Sequence, residues 1–247
     1  MLALVTASAC AFSAPIAQRA ASPRAAVRME SKADLEKLAK ELNPALGFFD
    51  PLNLAEQEFW GQSNEATIGF LRHSEIKHGR VAMAGFCGWI AHANGLRFPW
   101  APVGGEAIAS GLSPPDLWDA IPLEAKAQII LGIGVLEFWS ECAGTHYMRG
   151  GKPGAFPSFT KGDVVVPHPV PLDLYDPFNL SAKKSEEAKA KGLVKEINNG
   201  RLAMLGLFGF LCEAKIPGSV PLLSGIVSGY SGEPMAPFGV DFPGLSF

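Results

Sequence analysis

Apolar positions recur at helical spacing in three stretches of the chain, and long segments rich in proline and glycine separate them. The first stretch runs from about Asn64 to Ala93. Ser63 or Asn64 can cap its start, and Asn94-Gly95 provides a stop signal at its end. This pattern predicts a first helix of about thirty residues.

The second and third stretches are bounded by similar signals. The second starts near Asp119, has Pro122 in its first turn and ends by Arg149. The third starts at Ser181, a suitable N-cap, and ends before Pro217. The sequence therefore predicts an all-α protein in which irregular loops join three helices.

Composition divides the chain into four parts. Residues 1–29 contain no acidic residue and combine three arginines with many alanines and serines, which is typical of a targeting segment. We expect an N-terminal loop region at 30–63, a three-helix domain at 64–215 and an irregular tail at 216–247.

Hydropathy alone does not decide whether the helices cross a membrane. No stretch reaches the roughly 18 consecutive apolar residues that identify a spanning helix. A thirty-residue helix is nevertheless roughly 45 Å long, enough to cross a bilayer at a tilt if its charges are paired inside the bundle. Charged residues are only 18% of the chain and the net charge is -3, which gives no reason to expect a nucleic-acid partner. Three transmembrane helices are compatible with these lengths, and the family resemblance given below implies them.

The first and third helices contain the same motif. Glu75-Ile-Lys-His-Gly-Arg-Val-Ala-Met-Ala-Gly85 matches Glu196-Ile-Asn-Asn-Gly-Arg-Leu-Ala-Met-Leu-Gly206, 121 residues later. Related turns, Phe49 to Leu54 and Tyr175 to Leu180, precede the two copies. The repeat predicts two helices crossed about an approximate two-fold axis. Small residues on one side of each helix allow close approach in a bilayer: Gly79, Ala82, Gly85, Gly200, Ala203 and Gly206.

The repeated charges suggest how these two helices are held together. Glu75 and Arg80 are five residues apart, a poor spacing for a pair within one helix. Under the two-fold relationship, Glu75 can pair with Arg201 while Arg80 pairs with Glu196. Each charge is then compensated, as a low-dielectric environment requires.

Each motif also presents a pair of metal-ligating side chains. His78 follows Glu75 by three residues, and Asn199 follows Glu196 by three, so each pair shares a helix face. Oxygen donors and imidazole can complete the coordination of a magnesium ion whose other positions are filled. The magnesium of chlorophyll has one open axial position, and a charge-compensated glutamate can fill it without leaving net charge in lipid.

With this doubled motif, the chain resembles the light-harvesting chlorophyll-binding family over about residues 44–215. Glu75-Ile-Lys-His-Gly-Arg80 and Ala127-Gln-Ile-Ile-Leu131 resemble the chlorophyll a/c branch of algae with red-lineage plastids, the fucoxanthin- or peridinin-binding antennae. The segment Ala9 to Pro15 likewise resembles the cleavage signal of proteins sent to such plastids.

The resemblance implies a specific set of sites and partners. It implies that the chain is not an enzyme and binds chlorophyll a, chlorophyll c and a fucoxanthin- or peridinin-like carotenoid in the plastid thylakoid membrane. The turns around Asp50 and Asp176 match the family's carotenoid-binding entries. Partners would be a photosystem core, other antenna subunits and lipid, with a homo- or hetero-oligomer left open. The implied axial ligands are Glu75, His78, Gln128, Glu137, Glu196, Asn199 and Glu213.

Three alternatives remain beside this interpretation. A photoprotective, energy-dissipating member of the same family would carry much the same ligands. A di-iron carboxylate enzyme would need a second Glu-x-x-His, where this chain has Asn199, and further glutamate-bearing helices. A transporter would be expected to contain broken helices, which the pattern does not show.

Overall fold

The computed structural model describes residues 30–97, 111–159, 176–178, 180, 183–234 and 236–239. Within these ranges the chain is helical and contains no β-strand, so the predicted all-α class is confirmed for the described part. The described connections contain three 3-10 turns, at Leu54–Glu56, Phe59–Gly61 and Tyr147–Arg149. The α-helices are α1 (Lys32–Leu42), α2 (Asn64–Ala93), α3 (Pro114–Asp119), α4 (Leu123–Cys142) and α5 (Glu186–Lys215).

Helix α2 begins and ends where its sequence signals predict. The Ser63 hydroxyl accepts a hydrogen bond from the backbone N–H of Ala66 at 3.3 Å. At the other end, the Asn94 side chain donates to the carbonyl of Ile90 at 2.8 Å. Both ends thus have partners for backbone groups that a helix terminus leaves unpaired.

The prediction for the second helix was wrong at both ends. Pro122 has an extended ψ of 147° and separates the short α3 from α4, instead of lying inside one helix. Helix α4 then ends at Cys142, and only the 3-10 turn at Tyr147–Arg149 follows before Gly150. A proline lacks the N–H that would continue a helix, so the chain restarts after it.

The third predicted helix, α5, starts at Glu186 instead of Ser181, which lies outside the described residues. Ser185 is the N-cap, and its hydroxyl accepts from the N–H of Ala188 at 3.3 Å. Two glutamates in the first turn favour this start because they face the positive end of the helix dipole. The helix ends at Lys215, before Pro217, as predicted.

The expected loop region at 30–63 contains helix α1, which is a correction to the sequence interpretation. Asp34 accepts hydrogen bonds from both the N–H (3.1 Å) and the hydroxyl of Ser31 and so fixes the start of α1. Leu42 packs in a small core with Ile76 of α2 and Ile197 of α5. The C-terminal end of α1 therefore packs against both α2 and α5, next to their two central acids. The proposed targeting segment at 1–29 lies outside the described residues.

Helices α2 and α5 form the most extensive contact between elements, and α4 packs much less closely against them. Within the described ranges, no helix is both long and apolar enough to cross a membrane. The described part of the irregular tail returns to α3, where the Tyr230 hydroxyl donates to Asp119 at 2.8 Å. Seven large apolar side chains of α4 are exposed: Ile129, Ile130, Leu131, Ile133, Val135, Leu136 and Phe138.

Candidate functional site: a reciprocal ion-pair core with outward-facing ligands

Two reciprocal ion pairs join α2 to α5. Arg201 of α5 donates from Nε and Nη2 to Oε1 of Glu75, each at 2.7 Å. Arg80 of α2 donates from Nε to Oε1 of Glu196 at 2.6 Å. The two carboxylate side chains are only 25% and 30% exposed. Each acid therefore faces the arginine of the opposite helix, the arrangement that the repeat led us to expect.

The helix backbones meet next to these pairs at two glycines. A Cβ added to Gly79 would lie 3.0 Å from the Cα of Gly200, and a Cβ on Gly200 would lie 2.9 Å from the Cα of Gly79. Any larger residue at either position must push the helices apart. The arginines reach across the interface because the crossing is this close.

The pseudo-symmetry is broken by a third arginine. Arg72, which is 5% exposed, donates from Nη1 to Oε2 of Glu75 and from Nε to Glu30 at 3.3 Å. The equivalent position in α5 is Leu193. Oε2 of Glu196 consequently has no hydrogen-bond donor among the described residues, whereas both oxygens of Glu75 have one.

His78 is exposed and its ring has a defined tautomer. Nδ1 lies 2.7 Å from the carbonyl oxygen of Ser74. A carbonyl can only accept, so Nδ1 carries the proton and the neutral ring keeps its lone pair on Nε2. Asn199, at the equivalent position of α5, is also exposed, and its side chain makes no hydrogen bond to a described residue. Both donors are thus available to a ligand outside the helix pair.

The remaining predicted ligands differ in their surroundings. Gln128 is exposed on α4 and forms no side-chain hydrogen bond to any residue that the structure describes. Glu137 is 51% exposed and pairs with Lys77 of α2. This ion pair gives α4 a direct polar link to the central helix pair.

Glu213 conflicts with its prediction as a ligand. The residue is only 2% exposed, and its two oxygens accept the N–H groups of Gly218 and Val220, each at 2.8 Å. The carboxylate therefore closes the turn that follows α5. A buried acid that accepts two backbone hydrogen bonds is a stable structural element and is not presented to an outside ligand.

Sequence reasoning missed the loop contact that completes the core. The N–H of Gly154 donates to Nδ1 of His73 at 3.1 Å, and its carbonyl accepts from Nη1 of Arg80 at 2.6 Å. Gly154 has a φ of +73°, and a Cβ there would lie 2.7 Å from Ile76. Only glycine fits both conditions. The Pro153-Gly154 dipeptide signalled a turn, but the sequence did not show what the turn contacts.

Tyr147 anchors the same loop at its other end. Its ring stacks on His73 with the ring centroids 3.9 Å apart. Burial and, next, the charge of Glu141 raise the pKa of Tyr147 to about 12.

The turns that precede the two motifs share one hydrogen bond. Oδ1 of Asp50 accepts the N–H of Leu54 at 2.9 Å, and Oδ1 of Asp176 accepts the N–H of Leu180 at 2.6 Å. The internal repeat therefore extends into the local geometry of both turns.

Apolar surface surrounds the outward-facing donors. Val81 and Leu202, which are equivalent in the repeat, are 71% and 69% exposed. Leu205 and Phe208 of α5 are exposed in the same way. Several exposed apolar side chains on the same helices are typical of a binding or membrane-contacting face.

Comparison with known proteins identifies the family to which the chain belongs. The profile described as "Chlorophyll A-B binding protein" matches residues 34–215. The chain belongs to the chlorophyll a-b binding protein family. This is a family of light-harvesting, pigment-binding proteins and not of enzymes.

Curated relatives agree over most of the chain. The chain is 31% identical to the fucoxanthin-chlorophyll a-c binding protein of Trieres chinensis, over 90% of this chain and 96% of the relative. It is 30% identical to fucoxanthin-chlorophyll a-c binding protein F of Phaeodactylum tricornutum, over 87% and 94%. Protein B of the same organism is also 30% identical, over 92% and 98%.

The residues present fit the pigment of this family. Chlorophyll magnesium requires one axial donor, and Nε2 of His78 and Oε2 of Glu196 each offer an unshared lone pair. Asn199 offers an amide oxygen. Oε2 of Glu75 already accepts a hydrogen bond from Arg72, so it is less available to a metal. The apolar faces beside these donors suit a large, mostly apolar ring.

Proposed function

We propose that the protein is a light-harvesting antenna that binds chlorophyll a, chlorophyll c and a fucoxanthin- or peridinin-like carotenoid in the plastid thylakoid membrane. The observation that carries the proposal is the pair of reciprocal bridges, Glu75–Arg201 and Glu196–Arg80. They neutralise two potential ligands at the centre of the helix pair. An uncompensated carboxylate would be costly beside an apolar ring or lipid.

The proposed axial ligands on the helix pair are Glu75, His78, Glu196 and Asn199. The proposed ligands on α4 are Gln128 and Glu137. Glu137 follows the same principle as the central acids, because Lys77 supplies its compensating cation. For these three acids, the protein places a cation next to the carboxylate.

A multi-pass arrangement of α2, α4 and α5 is part of the proposal. Helices α2 and α5 each contain 30 residues, which corresponds to about 45 Å. The charges near their middle are matched across the interface, and charges inside a bilayer require such pairing. The exposed apolar side chains of α4 would face pigment and lipid.

The function that follows is photophysical. Bound pigments absorb light, and the side chains described above hold their positions and set the polarity around them. The ion pairs and the glycine crossing fix the spacing of the donors on α2 relative to those on α5. Excitation would pass to a photosystem core, directly or through other antenna subunits, without any bond being made or broken.

Purification of the protein from thylakoids, followed by pigment extraction and excitation spectroscopy, tests the proposal. We expect chlorophylls a and c and a carotenoid, with chlorophyll a fluorescence excited through the carotenoid band. A protein that retains no pigment would contradict the proposal. A fluorescence lifetime that shortens sharply on acidification would instead support the energy-dissipating alternative.

A further inference from the structure

Helix α4 is held mainly at its two ends. Residues 128–138, about three turns, are exposed on every side of the helix. Lys126 and Trp139 flank this stretch and are 0% and 8% exposed. Trp139 packs against Phe156 and Phe159 of the loop that follows α4. The position of α4 beside the helix pair therefore depends on the contacts at its ends.

The first turn of α4 is attached to the end of α3. Nζ of Lys126 donates to the carbonyl of Asp119, the last residue of α3, at 3.3 Å. Pro122 separates the two helices, so residues 114–126 form one corner, which we call the α3–α4 corner. Gln128 lies about half a turn beyond Lys126. A contact that fixes Asp119 therefore also limits the position of Gln128.

Tyr230, in the tail, connects this corner to the end of α5. Its side chain is buried, and its hydroxyl donates to Oδ2 of Asp119 at 2.8 Å. Its backbone N–H donates to the carbonyl of Ala214 at 2.7 Å. This carbonyl is one of the four that the C-terminal end of a helix leaves unpaired. One tail residue thus joins the last turn of α5 to the α3–α4 corner.

Two further hydrogen bonds attach the tail on the C-terminal side of this tyrosine. Lys215, the last residue of α5, donates to the carbonyl of Gly232 at 2.7 Å. Nε1 of Trp118 in α3 donates to the carbonyl of Pro237, also at 2.7 Å. On the N-terminal side, the Glu213 carboxylate closes the turn that follows α5. The described part of the tail is therefore bound to both α5 and α3.

We propose that Tyr230 is a positioning residue, which connects the α3–α4 corner to the end of α5 and so sets the position of Gln128 relative to the donors on the helix pair. Its hydroxyl is the group that carries the link, because a hydrogen bond to a carboxylate is stronger than one between neutral groups. The effect on pigment rests on the proposed function, whereas the link itself rests on contacts within the protein.

Amide hydrogen exchange, followed by mass spectrometry on the full pigment-loaded chain, tests the link. Tyr230→Phe keeps the ring and removes the hydroxyl. We expect exchange at residues 114–128 to become about tenfold faster, the equivalent of one hydrogen bond to a charged group, because local opening then breaks one contact fewer. Exchange at the glycine crossing of α2 and α5 should not change.

Matched variants distinguish the link from a general effect of mutation. Asp119→Asn keeps an oxygen that can accept from the hydroxyl and should exchange like the wild type, whereas Asp119→Leu should behave like Tyr230→Phe. Leu222→Ala changes an exposed side chain of the same tail and should have no effect. Tyr147→Phe removes a hydroxyl near the other end of α4 and should leave residues 114–128 unchanged.

The pigment spectrum tests the positioning role. Gln128→Leu identifies the absorption and circular dichroism bands of the pigment held at the start of α4. Tyr230→Phe should shift or weaken those bands although Gln128 is present, and it should keep the remaining bands and the helix content. A residue that only added stability would not single out these bands.

Two exchange results would overturn the link. Unchanged exchange at residues 114–128 in Tyr230→Phe would show that other contacts hold the corner, and equal acceleration in Leu222→Ala would assign the effect to the tail as a whole. Faster exchange with unchanged Gln128 bands would overturn the role in pigment placement. A wild type that binds no pigment would contradict the proposed function, and the exchange comparison in detergent would still decide the link.

Discussion

Glu75 and Glu196 occupy equivalent positions on α2 and α5, yet different numbers of arginines hold their carboxylates. Glu75 receives donors from Arg201 on one oxygen and from Arg72 on the other. Among the residues that the structure describes, Glu196 receives a donor from Arg80 on one oxygen and none on the other. A symmetric motif has therefore produced one closely held acid and one with an open oxygen. The repeat sets the position of the acid, and the residue three before it sets how much of the acid remains free.

A second difference between α2 and α5 concerns the helix that each of them contacts. Lys77 of α2 pairs with Glu137 of α4, whereas the equivalent Asn198 of α5 donates to the carbonyl of Leu42 at 3.1 Å, at the end of α1. Equivalent positions on α2 and α5 thus contact different neighbouring helices. The unequal residues of the repeat determine what surrounds the symmetric core.

The largest expected effect comes from removing Arg80. Arg80→Leu leaves the Glu196 carboxylate without its cation and the Gly154 carbonyl without its hydrogen-bond donor. In an apolar environment this should lower the free energy of unfolding by about 3 kcal/mol. We expect the yield of pigment-loaded protein to fall by about tenfold or more. Arg72→Leu is the matched comparison, because it copies Leu193 of α5 and leaves Glu75 its pair with Arg201. Equal yields for the two variants would contradict the central role of the reciprocal pairs.

The glycine crossing gives the next largest effect. Gly79→Ala places a methyl group 3.0 Å from the Cα of Gly200, and overpacking of this kind costs about 1–3 kcal/mol. The melting temperature of the pigment-loaded protein should fall. Gly88→Ala on the same helix meets nothing within 4 Å and should be nearly neutral. If both variants melt alike, the helices do not cross at these glycines.

Much of the α2–α5 interface could be predicted from the sequence, because a repeated motif implies two helices with equivalent geometry. Two copies of one motif predict equivalent helices, and that relationship brings each acid to the opposite arginine. The ends of α2 were predictable to within one residue, because Ser63 and Asn64 are adjacent capping residues and Asn94-Gly95 marks the end. The start of α5 was not, since Ser181 and Ser185 offer equivalent capping hydroxyls and only the folded chain selects one.

What the sequence could not show depends on contacts between distant segments. Gly154 reaches Arg80 from a loop 74 residues away, and nothing local indicates that approach. Glu213 is a residue type that can ligate a metal, but its carboxylate oxygens accept hydrogen bonds from the turn after α5. Helix α1 has a local capping signal in Ser31 and Asp34, but the composition of the surrounding segment favours a loop.

Neutralising each acid in turn measures the asymmetry directly. Glu75→Gln removes a carboxylate that two arginines share, Arg201 and Arg72, although Arg72 keeps its contact with Glu30; Glu196→Gln removes a carboxylate from Arg80. We expect the first to lower the stability of the pigment-loaded protein by about 1 kcal/mol more than the second, the scale of one charged hydrogen bond. Thermal melts followed by visible circular dichroism provide the comparison. A larger loss for Glu196→Gln would reverse our assignment of the closely held acid.

The smallest effect is expected at the link to α4. Lys77→Gln removes a partly exposed ion pair with Glu137, which is worth less than about 1 kcal/mol. The expected result is a small drop in melting temperature together with loss of pigment bound at α4. Lys191→Gln, which breaks a more exposed pair with Glu187, is the control and should change neither. Pigment loss in the control would show that the effect is not specific to α4.

A double-mutant cycle on Arg80 and Glu196 tests most directly whether the two helices hold each other through exchanged charges. The stabilities of Arg80→Gln, Glu196→Gln and the double variant are measured in the pigment-loaded protein. We predict a coupling of at least about 1 kcal/mol, so that the double variant is hardly less stable than the worse single one. Losses that add to within about 0.5 kcal/mol would show that the residues act independently and would contradict the account.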